Sequence, residues 1–390
     1  MSGLALIRVW FGGMAKEEDT AVLIYLGCCA VLAFATAILL ALQGASPVAA
    51  AHAAFAVGAM PLVFAAMGHF VPVLTRSSGA TGAVRRLPLA MQAAGLLALG
   101  ALGGWLPGWA LHGALTIGLV TTGVFLAWVL GKGRKALGRP HPGLAWYVAA
   151  LSCLMLALLV IGLGLLWPPA YRLARLAHLH LNTLGFIGLS AIGTLHVLMP
   201  TALGRPDPLV AQRLQQQLPW MLAGVGAAAL AGGLRWLGLP AAVLLGGVAA
   251  ATLVAWVRTH GLGRLLGDGV ATSLLVATTG LLGLILVGLA HGFGAMPGRP
   301  AVAGFFALFL LPLVTGALSQ LLPVWRFPGP LTPARTQLRE RLARHARLRA
   351  GLFLAGGVVL MAGSGFGVGL LAAGVLLFAA ALGGGLMRRP

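Results

Sequence analysis

The feature that most constrains this chain is a series of long apolar runs with few or no charged residues. A run of about 20 such residues can cross the ~30 Å hydrocarbon core of a bilayer as a helix. Only 8% of the 390 residues are charged, whereas 59% are hydrophobic. A water-soluble domain needs more charge to cover its surface. The sequence therefore predicts an all-α, polytopic membrane protein and excludes an ordinary cytosolic enzyme and a disordered chain.

We predict about twelve transmembrane helices in a single integral membrane domain that covers residues 1–390. Residues 1–19 precede the first run and are expected to be a short cytoplasmic lead-in rather than a cleavable signal. The predicted spans are 20–43, 49–72, 87–105, 108–131, 143–167, 177–203, 217–237, 239–258, 271–290, 300–324, 348–367 and 368–387.

The net charge is +20, and nearly all basic residues lie in the short gaps between apolar runs. They concentrate after the even-numbered spans, as with Arg76, Arg85 and Arg86 after the second. Since an excess of Lys and Arg marks cytoplasmic loops, we predict a bacterial inner-membrane protein with both termini in the cytoplasm. No nucleic-acid partner is expected. Residues 331–349 are predicted to form a basic amphipathic helix at the inner surface, with a solvated or headgroup-bound face.

Three of the even-numbered spans end in a similar pattern around a proline. Pro72, Pro200 and Pro323 each lie three to five residues before an arginine. His52 and His180 both lie twenty residues before their proline. Because these matches recur about four spans apart, they predict three pseudo-repeated four-helix units, at 1–138, 139–264 and 265–390.

Carboxylates are absent from the predicted spans. Proton-coupled and sodium-coupled transporters commonly use intramembrane carboxylates, so their absence disfavours that class. The six acidic residues all lie in predicted loops or tails: Glu17, Glu18, Asp19, Asp207, Asp268 and Glu340.

Histidines are the remaining polar side chains of interest. His52, His178, His180 and His291 map to the predicted outer half of the membrane. A neutral imidazole is a common ligand for haem iron and for copper. We therefore predict that these four residues bind a cofactor. The alternative is that a histidine near a helix end sits at the interface or bonds a neighbouring helix.

The spacing of the histidines limits which of them can share a ligand. His178 and His180 diverge by about 200° on a helix, so they cannot easily chelate one ion together. They serve two cofactors, or one of them anchors the helix at the interface. His178 and His196 share a face of a regular helix but lie about 27 Å apart. His69 and His196, at the inner ends of spans 2 and 6, are candidates for a separate cytoplasmic-side metal site.

The sixth span resembles the NnrS family of bacterial membrane proteins. His178-Leu-His180 is followed by Gly185, Gly193 and Pro200, at the spacing of the family's pattern. NnrS-like proteins have twelve spans and are associated with haem, copper and resistance to nitric oxide. The arrangement of twelve predicted spans in three repeats is also similar to subunit I of haem-copper oxidases, whose second span carries a haem-ligating histidine near the outer side. His52 occupies the comparable place in this chain.

The chain also departs from both families. The oxidases carry a His-His pair on span 7 and His-x-His on span 10, whereas this chain has no His-His pair at 217–237 and no histidine at 300–324. Dioxygen reduction with proton pumping is therefore not expected. The NnrS-style motif falls in the second predicted repeat, whereas we expect it in the first.

The resemblance implies a protein that holds a b-type haem, copper or both, and that handles nitric oxide, a metal or electrons. No catalytic residue is assigned, and enzymatic turnover stays open. Expected partners are the lipid bilayer, a small-molecule ligand such as nitric oxide, and subunits of a respiratory complex. Two other classes stay open: a permease without a cofactor, and an assembly factor or partner subunit. Gly185, Gly188 and Gly193 either allow close helix packing or leave room for a macrocycle.

Overall fold

The computed structural model describes residues 3–80, 82–295 and 301–386, with side chains from residue 20 onward. The described backbone is helical and contains no strand. We number fourteen helices along it: α1 Gly3–Leu42, α2 Pro47–Thr75, α3 Leu87–Leu102, α4 Ala110–Arg134, α5 Gly143–Leu166, α6 Pro168–Ala202, α7 Val210–Leu230, α8 Gly238–His260, α9 Leu262–Gly267, α10 Gly269–Gly292, α11 Ala301–Arg326, α12 Pro333–Ala343, α13 Ala346–Met361 and α14 Phe366–Leu386.

Nine helices in the described part of the chain are long and apolar enough to cross a membrane: α1, α2, α4, α5, α6, α8, α10, α11 and α14. The other three predicted spans coincide with α3, α7 and α13. Helices α3 and α13 have 16 residues each, which corresponds to about 24 Å of rise. Helix α7 begins at Val210 with a polar turn and ends at Leu230, seven residues before the predicted end. The count of twelve spans thus stays a prediction.

The outside of the bundle is apolar at mid-helix positions. Leu32, Leu163 and Leu376 lie within α1, α5 and α14 and are each more than 60% exposed. Isolated exposed leucines are ordinary, but their recurrence along whole helices is what a lipid-facing surface requires. The most buried candidate spans are α6 and α11, with 78% and 72% of their apolar windows inside the protein. These two helices therefore form the centre of the bundle.

Helices α2, α6 and α11 share a wide π-helical segment. The segments are Ala53–Ala59, Leu181–Gly188 and Phe305–Leu310. They begin 19, 19 and 18 residues before Pro72, Pro200 and Pro323. π-Helical turns are rare and are often found at functional sites. Their recurrence 18 or 19 residues before the three prolines is a structural likeness that the sequence pattern did not include.

The same three helices all end within five residues after their proline. The carbonyls of Pro72, Pro200 and Pro323 accept hydrogen bonds from the amides of Ser77, Arg205 and Phe327, at 2.9, 3.0 and 3.0 Å. In α2 and α6 the residue four positions after the proline has a positive φ, 51° at Arg76 and 63° at Gly204. A left-handed residue after the last helical turn is a common way to end a helix, and it usually requires glycine.

The basic segment 331–349 differs from the prediction. It forms α12, then a turn, then the start of α13, and two of its arginines face inward. Arg339 hydrogen-bonds Asp268, Gln320 Oε1 and the Ala202 carbonyl at 3.0, 2.8 and 2.9 Å. The Arg349 side chain is completely buried. The prediction of a solvated or headgroup-bound face is therefore wrong for Arg339 and Arg349. Hydrogen-bond acceptors of α6, α11 and the start of α10 lie within reach of these side chains.

Candidate cofactor site

The predicted cofactor ligands all lie at one end of the bundle, where α2 and α6 begin and α10 ends; we call it the histidine end. His52 is in the second turn of α2. Its Nδ1 lies 2.8 Å from the Val48 carbonyl oxygen. Because a carbonyl can only accept, Nδ1 carries the proton of the neutral ring, and Nε2 keeps its lone pair. Metal-binding histidines are typically held by such a bond from the other ring nitrogen.

His178 is held in the same way by a different helix. Its Nδ1 lies 3.0 Å from the carbonyl of Ala157 on α5. The Asn182 amide donates to the His178 carbonyl at 2.8 Å and lies 3.3 Å from both ring nitrogens. Because the Asn182 amide nitrogen is equally far from both ring nitrogens, it cannot lie in the ring plane on the axis of both. It therefore lies over the face of the His178 ring. His178 is close enough to His52 for an electrostatic interaction. The two rings, one on α2 and one on α6, thus lie at the same end of the bundle.

His180 belongs to a second pair. It lies close enough to His291, near the end of α10, for an electrostatic interaction. Both residues line a cavity of about 440 Å³ between α6, α8, α10 and α11. The neighbouring histidines on α6 thus meet different partners, in agreement with their angular separation.

The wall of this cavity is mostly hydrocarbon. Besides the two histidines, its polar side chains are Thr183 and Arg235. Thr183 donates to the Leu179 carbonyl of its own helix, at 2.8 Å. Arg235 lies 3.4 Å from the Gly292 carbonyl and has no carboxylate beside it in the cavity wall. An apolar cavity with one cationic group suits an amphipathic ligand that carries an anionic group.

The ring of His180 is incompletely bonded. Its Nδ1 is buried and makes no hydrogen bond of normal geometry, although the Leu176 carbonyl lies one turn earlier. A buried polar atom without a partner costs free energy, so such atoms often mark a site for an ion, a water molecule or a ligand. The side chain is therefore available for a ligand in the cavity.

The π-helical segments were missed by sequence reasoning. Each of the first two starts directly after a histidine, His52 or His180. In α11 the residue twenty positions before Pro323 is Ala303 rather than a histidine. The π-helical segment of α11 starts at Phe305. The recurring distance from histidine to proline was the available signal, but it carries no information on the pitch of the helix between them.

The glycines of α6 serve close packing. A Cβ at Gly185 would lie 2.8 Å from Cβ of Cys153, and one at Gly193 would lie 2.7 Å from Cβ of Trp146. Both neighbours are on α5. Of the two alternatives for these glycines, close helix contact fits Gly185 and Gly193, whereas room for a macrocycle does not.

His69 and His196 meet different helices. The His69 ring lies 6.1 Å from the ring of Trp325 on α11. The buried His196 ring lies 6.2 Å from the ring of Trp146 on α5, and its Nδ1 is 2.8 Å from the Ile192 carbonyl. The contacts of these two rings give no common partner in the described part of the chain. A shared cytoplasmic-side metal site receives no support from them.

No group of three or more His, Cys, Asp or Glu side chains placed to hold a metal ion occurs among the described residues. The histidine end offers imidazoles from three helices, α2, α6 and α10, and an imidazole is a common ligand for haem iron and for copper. A comparison with models of known protein families gives no match, and neither does a comparison with curated proteins.

Proposed function

We propose that this protein binds haem, copper or both at the histidine end and handles nitric oxide, another small ligand or electrons there. The observation that carries the proposal is the cavity of about 440 Å³ at the histidine end, which His180 and His291, from two different helices, both line. A haem held by two histidines would supply one-electron chemistry, and a copper ion held by two histidines would also offer a binding position for a diatomic ligand. The protein's own residues would hold and orient it.

His180 and His291 are our choice for a haem of the b type. They face one cavity of a size typical for small-molecule sites. Arg235 in the same wall would pair with a carboxylate of the ligand, because it has no acidic neighbour there.

His52 and His178 would hold a second haem or a copper ion. The hydrogen bonds to Val48 and Ala157 keep the proton on Nδ1 in both rings, so that both Nε2 atoms are available. This is the tautomer that ligation through Nε2 needs. The resemblance of the His178–Pro200 segment to NnrS proteins supports the same cofactors.

The proposal includes the membrane setting. We place the protein in a bacterial inner membrane with twelve spans in three pseudo-repeated units and with both termini in the cytoplasm. The support is the concentration of Lys and Arg in alternate gaps and the recurrence of the proline ends. The histidine end then faces the periplasm.

The test is a reduced-minus-oxidised absorption spectrum of the detergent-purified protein, with iron and copper measured on the same sample. We expect a Soret band and near-stoichiometric iron. His180→Ala and His291→Ala should each lose most of the Soret band and of the iron, and Arg235→Leu should lower the haem content. His52→Ala and His178→Ala report on the second pair.

His112→Ala and Arg175→Leu are the matched controls, because both residues are exposed at the histidine end. They should keep the spectrum of the unchanged protein. A preparation that stays colourless and metal-free after reconstitution contradicts the proposal. Copper without iron would remove the haem assignment and leave copper. Equal losses in the control variants would show that the histidines act through folding.

A further inference from the structure

A second cavity, of about 100 Å³, lies in the centre of the bundle, closer to the proline ends of α2, α6 and α11. We call it the axial cavity. Nearly all of its wall comes from these three helices; Tyr147 of α5 is the exception. It is separate from the histidine-end cavity, since the two have no lining residue in common.

The three helices line the axial cavity with equivalent residues. Each contributes the residues 2, 5, 6, 9 and 10 positions before Pro72, Pro200 or Pro323. At six positions before the proline these are Ala66, Thr194 and Ala317, and at nine positions before it they are Val63, Ala191 and Val314. A threefold match at five positions means that the cavity lies where the three helices meet around one axis. A chance void between helices would not repeat its lining in this way.

The wall of the axial cavity is almost wholly apolar. Four of the lining side chains carry polar atoms: Tyr147, Ser190, Thr194 and Trp325. The hydroxyls of Tyr147 and Thr194 lie 2.8 Å apart, and Thr194 also donates to the Ser190 carbonyl at 2.7 Å. Ser190 donates to the Phe186 carbonyl. These hydroxyl donors are thus used within the protein.

One donor of the wall is left over. The indole N–H of Trp325, which is 2% exposed, has no hydrogen-bond partner. A water molecule needs two to four polar partners to be held in a cavity, and an apolar cavity of on the order of 150 Å³ in another protein stays dry and takes up xenon. The axial cavity therefore favours an uncharged apolar occupant over water.

We propose that the axial cavity is a binding site for a small uncharged molecule of the size of xenon or a diatomic gas. Such molecules are more soluble in hydrocarbon than in water, so they are concentrated in the bilayer around the protein. A charged or strongly polar ligand finds no acidic or basic partner in the wall. The identity of the physiological gas rests on the proposed function, whereas the binding site does not.

Xenon is the probe for the test. Crystals of the purified protein under xenon pressure should show an anomalous peak between α2, α6 and α11, and xenon NMR should show the same site in detergent solution. Ala317→Leu fills the cavity from one helix and should abolish both signals. Ala251→Leu makes the same change at an exposed position of α8 and should preserve them.

Three results overturn the inference: no xenon in the axial cavity of the unchanged protein, a lipid or detergent chain in its place, or equal xenon binding by Ala317→Leu. If Ala317→Leu fails to fold, Ala66→Leu fills the same space from α2. Xenon binding by a preparation without iron and copper would support this inference while contradicting the proposed function. Failure of one is therefore distinguishable from failure of the other.

Discussion

Arg339 donates from Nη2 to Oδ2 of Asp268 at 3.0 Å and thereby joins α12 to the start of α10. Asp268 has a second role, because its Oδ1 accepts from the amides of Val270 and Ala271, both at 2.9 Å. One carboxylate thus caps a membrane helix and anchors the basic helix that follows α11. Arg339 in turn bonds the Ala202 carbonyl at the end of α6. Through Ala202 and Gln320, Arg339 thereby links the proline ends of α6 and α11 to the start of α10.

Asp268→Ala should lower the free energy of unfolding by about 1–2 kcal/mol, because it removes a helix cap. Asp268→Asn should cost less, since asparagine still caps a helix while the charge is lost. Thermal unfolding in detergent, followed by tryptophan fluorescence, measures both. Arg339→Gln should also destabilise, whereas Arg344→Gln, at an exposed arginine of the same segment, should not. If Asp268→Ala, Asp268→Asn and Arg339→Gln were all as stable as Arg344→Gln, the anchoring role of Asp268 and Arg339 would be contradicted.

Gly280→Ala should destabilise the protein by about 1–3 kcal/mol, the usual cost of overpacking. A Cβ at Gly280 would lie 2.2 Å from the carbonyl oxygen of Leu308, in the π-helical segment of α11. Gly283 lies one turn further along the same helix, and a Cβ there meets nothing within 4 Å. Gly283→Ala is therefore the control and should be neutral or slightly stabilising. Thermal unfolding of the two variants side by side checks the contact.

Arg76→Gly should stabilise the protein by about 0.5–1 kcal/mol, because Arg76 has a left-handed φ of 51° that glycine adopts without cost. Gly204→Ala, at the equivalent position of α6, should destabilise it. Arg139→Gly makes the same change in an exposed loop at a residue without a positive φ. No gain is expected there. If Arg76→Gly loses as much stability as Arg139→Gly, the left-handed residue at the end of α2 carries no strain.

His141 should make stability depend on pH. Its Nδ1 accepts from the Gly143 amide at 3.1 Å, at the start of α5, and burial lowers the pKa of the ring below its usual 6.5. Below pH 6.5 the unfolded chain therefore binds more protons than the folded protein at this residue, so stability falls as the pH falls. Melting temperatures between pH 8 and 5 measure this. His141→Asn keeps an acceptor without titrating and should show a shallower fall; an unchanged slope would exclude His141 as the cause.

Much of the membrane fold follows from local sequence. Runs without charge must place their backbone in helices, since lipid offers no hydrogen bonds. Nine of the predicted spans are confirmed as helices long and apolar enough to cross a membrane. The boundaries of the seventh span were predicted less well: Gln215, Gln216 and Gln217 are helical in α7 although they lie outside or at the edge of the predicted span 217–237.

The sequence by itself determined that the chain is helical and apolar, which histidines it can offer, and where its three proline ends fall. The tertiary structure alone decided that His178 meets His52 and Ala157 while His180 meets His291 and the cavity. The physical reason is tertiary packing: His178 and His180 precede the π-helical segment of α6, so their divergence is that of a regular helix, but spacing does not say which helices lie on either side of them. The π-helical segment has more residues per turn than an α-helix, so it rotates the side chains that follow it, such as His196, relative to a regular helix. Which neighbour a side chain finds then depends on the packing of whole helices, which spacing along one helix does not contain.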